Sequence, residues 1–416
     1  MKLEVIAIFI VGVGLLNLLR MAVFLIGSDL YTLREHIRRR RQMDHTYFPT
    51  FTVVIPAHNE ARTIVGCIRS VIHNTYPKKL LQVIVVDDGS NDQTVALASQ
   101  FKSVTVVSRP HSGKAEALNY ALRNIATGEL VICLDADSTL APEAIKNVTR
   151  YFIDPRVAAV ASNVKIRDDG SLLALIQKFE YIVSYQMKRA QTFFNIEYII
   201  GGIGSTFRRS VIESVGHYDT NTVTEDIDLT MKIIQRGGNK TTRVIYGADV
   251  ISETEPVQNI SGLIRQRYRW KYGRCQTFFK NLNLFFNSDK KHSRLLTWGN
   301  LPYAILGDIT FFLEPLIIGF MLFIILWYSD VWTLLGAMTV ITVYFALNIL
   351  GDESTSWQKK VPLLLLSPLM YFLFYVLSFV EYVALIKSMV RLHKIPESIK
   401  QQKQAWVHVE RGVVAK

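Results

Sequence analysis

Apolar and polar positions along this chain fall into three textures. Residues 3–27 (LEVIAIFIVGVGLLNLLRMAVFLIG) are almost wholly apolar and long enough to cross a bilayer. No small-residue cleavage site follows, so 1–30 reads as a retained transmembrane anchor. The run Arg34-Glu35-His36-Ile37-Arg38-Arg39-Arg40-Arg41 comes next, and it predicts a basic cytoplasmic linker over 31–49 with the N-terminus outside. From 50 to 280 the texture is that of a water-soluble α/β domain. β-rich runs at 51–57, 82–87, 104–108 and 130–135 alternate with helical patterns at 60–74, 92–101, 114–126 and 141–152. That alternation predicts a mainly parallel sheet with both faces covered. Apolar texture returns at 302–328, 331–350 and 362–389, so interfacial and transmembrane helices are expected over 281–390, before a basic tail over 391–416.

The charges and the crossings disagree. One N-terminal and three C-terminal crossings leave the tail outside, yet the tail and the segment end before it carry Lys387, Arg391, Lys394, Lys400 and Lys403, which belong in the cytoplasm. The segment 302–328, interrupted by Pro302, Asp308, Glu314 and Pro315, is the sequence's candidate for a re-entrant or interfacial stretch.

Composition narrows the class. Half of the 416 residues are apolar, 20% are charged, and the mean hydropathy is +0.20. A disordered chain is excluded, because such chains are poor in apolar residues. The balance of 47 Lys+Arg against 35 Asp+Glu gives +12, and the excess lies beside apolar runs. It therefore points to a membrane and not to nucleic acid. Three cysteines, Cys67, Cys133 and Cys275, are too few and too scattered for a disulfide framework or a short metal motif, which suits a reducing compartment.

The polar residues that could carry chemistry sit where the β runs end, and parallel sheets bind ligands there. Asp135-Ala136-Asp137 closes the run LVICL, and two carboxylates at a strand end suit a hard divalent cation, although Asp is also common in turns. Asp87-Asp88-Gly89-Ser90 ends the second run; Asp87 could hydrogen-bond a base, or the segment could be a turn with Ser90 or Asp92 capping the next helix. Pro56-Ala57-His58-Asn59-Glu60 ends the first run and puts Glu60 within reach of a ribose or base. Lys114, after Ser112-Gly113, could neutralise a phosphate or simply be a solvated helix-start lysine. Thr224-Glu225-Asp226 opens a helix; it offers a general base in Asp226, or a capping arrangement with Thr224 as the cap. Gln266-Arg267-Tyr268-Arg269-Trp270 supplies an Arg269 fork for a diphosphate and a Trp270 face for a sugar ring, unless it is a membrane-surface helix.

PAHNE, DDGS, SGKAEALN, DAD, GGIGSTF, TED and QRYRW, in that order and spacing, resemble the processive, membrane-embedded family 2 inverting glycosyltransferases. The likeness extends to hyaluronan, chitin and cellulose synthases and is greatest to the bacterial poly-β-1,6-N-acetylglucosamine synthases, including a tail with Trp406 and Arg411-Gly412. It is strong over 50–280 and loose in the membrane parts. The resemblance implies a GT-A-like nucleotide-sugar-binding domain, held in the cytoplasm and inserted between helices of a multi-pass plasma-membrane protein. It implies that Glu60 and Asp87 contact the uridine and that Lys114 lies near the phosphates. Asp135 and Asp137 would be the metal pair, with Asp137 the direct ligand of Mg²⁺ or Mn²⁺. Asp226 would be the catalytic base, Gln266 and Arg269 would hold the diphosphate, and Trp270, Gly204 and Ser205 would meet the acceptor. His58 stands where these families often place Tyr. The implied activity is polymerisation of N-acetylglucosamine from UDP-GlcNAc into a β-linked biofilm exopolysaccharide and help with its export. The implied partners are a UDP-sugar, the growing polysaccharide, the bilayer and a small membrane accessory subunit.

Three rivals differ in testable ways. A synthase of the hyaluronan, cellulose or chitin type would use another UDP-sugar. A polyprenyl-phosphate transferase would add one sugar only. A membrane sensor would bind nucleotide without turnover and has no use for a base such as Asp226. A dehydrogenase is disfavoured, because no G-x-G-x-x-G follows the first strand.

Overall fold

The computed structural model describes residues 2–41, 47–329 and 331–401. The tail motif around Trp406 and Arg411-Gly412, with Lys403, lies outside the described residues.

The chain begins with one helix of 40 residues, α1 (Lys2–Arg41). The basic run is therefore not a linker over its helical part. Nothing between Ser28 and Arg41 breaks a helix, and the domain holds the end of α1 in place. Arg38 pairs with Glu35 one turn away and stacks over Tyr151 at 4.0 Å, while Arg39 lies 3.6 Å from Asp249.

The domain starts with strands β1 (Phe51–Ala57), β2 (Leu81–Asp87), β3 (Val104–Ser108) and β4 (Leu130–Cys133). Helices α2 (Ile64–Ile72), α3 (Thr94–Ala98) and α4 (Lys114–Asn124) connect them. All three pairings among these strands are parallel. Val53, Ile55, Val83 and Val85 face one core with Ile64, Ile68 and Val71 of α2, whose i, i+4, i+7 spacing makes one apolar stripe. Val54, Ile84 and Val86 face the other core with Ala117, Leu118 and Ala121 of α4. Burying an aliphatic side chain of this kind is worth about 1.5–3 kcal/mol, so Ile68→Asp would unseat α2.

Beyond β4 the sheet is mixed. β5 (Ser138–Leu140), α5 (Ala144–Thr149), β6 (Val157–Ile166), α6 (Leu172–Phe193), β7 (Ser205–Arg208), α7 (Arg209–Ser214), α8 (Glu225–Gly237) and β8 (Arg243–Thr254) follow in chain order. The strand order is β3-β2-β1-β4-β7-β6-β8-β5. β6 pairs parallel with β8, whereas β7 runs antiparallel to both β4 and β6 and β5 antiparallel to β8, so four of the seven pairings are parallel and the antiparallel ones all lie beyond β4.

α9 (Ile260–Lys280) closes the domain. After it come α10 (Leu301–Tyr328), α11 (Val331–Gly351), α12 (Trp357–Leu366), α13 (Met370–Val390) and the short α14 (Ile395–Gln401). Among the described residues, four segments are long and apolar enough to cross a membrane: 14–40, 295–328, 331–351 and 357–390. The 302–328 segment is thus one helix with Pro315 in its interior, while Pro302 sits in its first turn, where its missing N–H costs nothing.

Candidate active site

Parallel register brings the predicted residues to one edge. Ala57 pairs with Asp87, and Asp87 with Ser108, so the ends of β1, β2 and β3 lie side by side. Asp87 is buried and its carboxylate accepts from Ser90 N at 3.2 Å. Glu60 accepts from Thr63 Oγ1 at 2.8 Å on the neighbouring turn. Asp88 has a role that sequence reasoning missed. Its carboxylate accepts from the backbone N–H of Ser112 and of Gly113, each at 2.8 Å, and lies 2.9 Å from His111 Nδ1. It thereby fixes the loop that presents Lys114. His58, whose ring is 4.5 Å from that of His111, is held by the Asp88 carbonyl at 2.8 Å.

Lys114 is not a solvated helix-start lysine. Its Nζ lies 2.6 Å from Asp135 Oδ1 and 3.2 Å from Glu225 Oε1. These carboxylates, with Asp226, outweigh the cost of burial and raise its pKa. Glu225 belongs to this centre too; its place beside Asp226 in the sequence was the available signal. A methyl group built on Gly202 would lie 2.8 Å from Lys114 Nζ, 3.7 Å from Asp226 Oδ2 and 3.9 Å from Asp135 Oδ1. Metal-side carboxylate, lysine and candidate base therefore face one another across a glycine.

Asp226 lies in the first turn of α8, and its Oδ1 accepts from Ile227 N at 2.9 Å. Burial, then the neighbouring Glu225 charge, push its pKa up to about 6, against the pull of Lys114. Thr224 does not cap this helix through its side chain: its Oγ1 is buried and no hydrogen-bond partner reaches it among the described residues. The capping reading of this cluster therefore fails for Thr224.

A cavity of about 380 Å³ opens from this point. Lys114, Asp135, Ser205, Asp226, Arg269 and Trp270 all line it. Ser205 Oγ donates to the Gly201 carbonyl, while Gly204, at φ +63°, packs against Ser252 and Ser162 and does not line the cavity; Gly202 does. Gln266 is buried, and its Oε1 has no donor among the described residues. One face of Trp270 is covered by the Arg267 guanidinium at 4.2 Å. Arg267 is the buried arginine of the motif, pairing with Glu180 at 2.7 Å and Glu381 at 3.4 Å. Lys271 and Arg274, one turn further on, pair with Asp308 of α10.

Asp135 and Asp137 fit a divalent cation by the chemistry of the donor set. They are two hard carboxylate oxygen donors at a strand end, and Ser138 Oγ orients Asp137 by donating to its Oδ1 at 2.8 Å. Among the described residues no third His, Cys, Asp or Glu joins them as a preformed metal cluster. Mg²⁺ in nucleotide sites takes one or two carboxylates and completes its shell with phosphate oxygens and water.

Residues 52–216 match the family model described as glycosyl transferase family 2. Residues 52–216 thus carry a family 2 glycosyltransferase domain. Over 281 residues the chain is 29% identical to the poly-beta-1,6-N-acetyl-D-glucosamine synthase of Staphylococcus aureus strain COL, covering 65% of this chain and 66% of that protein. Over 236 residues it is 30% identical to the synthase of the same name from Staphylococcus epidermidis, covering 55% and 56%. The chain thus spans somewhat less than two thirds of the length of these relatives. The solved mannosyltransferase PcManGT from Pyrobaculum calidifontis, in complex with GDP-Man and Mn²⁺, shares the glycosyltransferase fold at a TM-score of 0.57 and 22% identity, over 90% of this chain and 98% of that one.

Proposed function

We propose that this glycosyltransferase is a membrane-bound, inverting exopolysaccharide synthase that polymerises N-acetylglucosamine from UDP-GlcNAc into a β-linked poly-β-1,6-N-acetylglucosamine. The observation that carries the chemistry is Asp226, a half-buried carboxylate with its pKa raised to about 6, which faces Asp135 and Lys114 at the head of a cavity lined by Trp270. The named relatives support the choice of sugar and polymer.

Glu60 and Asp87 bind the uridine at the ends of β1 and β2. Asp137, with Asp135 beside it, holds Mg²⁺ or Mn²⁺. Such an ion supplies charge neutralisation to a diphosphate leaving group. Arg269 adds a planar cationic fork to the same group, and the orphan Oε1 of Gln266 accepts from a bound ligand. Trp270 takes the apolar face of the acceptor's terminal sugar. Asp226 removes the proton from the attacking hydroxyl, which reaches the anomeric carbon on the face opposite the diphosphate. One displacement then turns an α-linked donor into a β-linkage without an enzyme nucleophile. The cavity lining includes Glu381 of α13, which follows the membrane helices α10 and α11 in the chain, and this supports a part in export.

Incubating the purified protein with a panel of UDP-sugars, followed by linkage and length analysis, tests this reading. UDP release and a β-1,6 polymer from UDP-GlcNAc alone is the expected result. A single sugar on a polyprenyl phosphate, or a polymer from another UDP-sugar, would replace it with one of the rivals.

A further inference from the structure

The apolar segment 357–390 is counted as a crossing by length and composition, and α13 alone has 21 residues, roughly 31 Å of helix. Its neighbours contradict a crossing. The end of α11 is fixed to the glycosyltransferase domain: Gln186 Nε2 donates to the Asn348 carbonyl at 2.9 Å, and Arg189 to the Gly351 carbonyl at 2.6 Å. Asp352, the next residue, pairs with Lys165 of β6 at 2.6 Å. The chain that enters α12 and α13 therefore starts on the domain's side.

It also ends there. In α14, Ile395 is buried; Gln276 Nε2 donates to Ser398 Oγ at 2.9 Å, and Asn221 Nδ2 to the Ile399 carbonyl at 3.2 Å. Between these ends α13 stays on the domain along its length. Met370 packs with Phe179 of α6, and Leu377 and Val380 pack with Ile176, Val257 and Leu263. Glu381 lies 2.9 Å from Lys271, and Arg391 donates to Tyr268 Oη at 3.1 Å. α9 is itself tied to the domain at both ends, by Gln177 Oε1 accepting from Val257 N at 3.0 Å and by Lys280 pairing with Asp228 at 2.9 Å.

We infer that α13 does not cross the bilayer: it lies along α9 on the domain's side, one face on protein and the other in lipid. Two stripes account for its uniform hydropathy. Met370, Leu377, Val380, Ala384 and Ser388 are buried against protein, whereas Phe372, Phe379, Ile386 and Val390 are exposed. The partner of that second stripe is the headgroup–acyl boundary, where Lys387 and Arg391 can reach anionic headgroups. The three crossings are then α1, α10 and α11, and the basic tail falls on the cytoplasmic side, as its charge requires. The sequence conflict is resolved at α13 and not at the 302–328 segment, which protein covers less than it covers 357–390.

The test uses the full chain in a Cys275→Ser background, since Cys67 and Cys133 are buried. Phe372→Cys, Phe379→Cys and Ile386→Cys carry a fluorophore in vesicles whose lipids quench at known depths. The expected depths agree within about 5 Å, as for a helix lying in the interface. A crossing helix would spread them over about 21 Å, from 14 residues at 1.5 Å each, and that spread would overturn the inference. Leu316→Cys and Phe323→Cys in α10 should differ by about 10 Å and calibrate the method. An independent arm leaves α13 unaltered. His393→Cys should react with an impermeant maleimide only after permeabilisation, while Ser329→Cys, between α10 and α11, reacts in intact cells. Labelling of His393→Cys from outside would overturn the inference whatever the depths.

Discussion

Lys114 Nζ sits 2.6 Å from Asp135 Oδ1 and 3.2 Å from Glu225 Oε1, with 17% of its side chain exposed. One partly buried cation thus joins the candidate metal side of the site to the helix that carries the candidate base. Its charge also holds down the pKa of Asp226, which burial and Glu225 raise.

Lys114→Met should leave Asp135, Glu225 and Asp226 without their shared cation. Removing one partner of a buried pair costs about 3 kcal/mol, and the acid limb of the pH–rate profile should move above pH 6. A loss of rate with the limb unmoved would reduce Lys114 to a structural role.

For Asp226 the folded pKa of about 6 lies above the ordinary 3.8. Activity should therefore fall tenfold per unit as the pH drops below about 6. Asp226→Asn should lower turnover by about 10²–10⁴-fold with donor affinity retained. Stability has the opposite sign. The folded state holds this proton more tightly, so the stabilisation is complete below about pH 4 and is lost as the pH rises through 6. Asp226→Asn should then be more stable than wild type at pH 8, by up to about 3 kcal/mol. Thermal melts at pH 5 and pH 8 measure the difference, and a variant less stable at pH 8 would contradict the buried charge.

Asp137→Ala should abolish transfer while leaving the protein folded in detergent. EDTA should silence the wild type, and Mg²⁺ or Mn²⁺ should restore it. Undiminished turnover in EDTA would rule out a metal at Asp135 and Asp137.

Trp270→Ala should stop polymer growth while slow hydrolysis of the donor by water persists, since Asp137 and Arg269 remain. Arg267 keeps Glu180 and Glu381 after it loses the indole, so the variant should fold. Polymer of normal length per folded enzyme would show that Trp270 only packs beneath Arg267.

Much of the domain was legible because local pattern and register agree. The run at 51–57 is β1, and alternation of its apolar residues between two cores makes the strand visible in the sequence. Asp87 and Asp135 could be found because parallel strands end on one edge. The approach of Lys114 to Glu225 could not, because nothing local records a contact across more than a hundred residues. β7, four residues of STFR, has too short a pattern to reveal its antiparallel direction. QRYRW drew attention to Arg269, yet Arg267 is the one whose burial is compensated by two carboxylates, one of them on a distant helix. In α13 hydropathy cannot distinguish a face covered by protein from one covered by lipid.

The most direct test is the anomeric configuration of the first product formed by the purified enzyme from α-linked UDP-GlcNAc, read by NMR before the polymer lengthens. A single displacement assisted by Asp226 predicts a β-linkage, formed about 10²–10⁴-fold more slowly by Asp226→Asn. An α-linkage, or a β-product formed at the wild-type rate by Asp226→Asn, would contradict it.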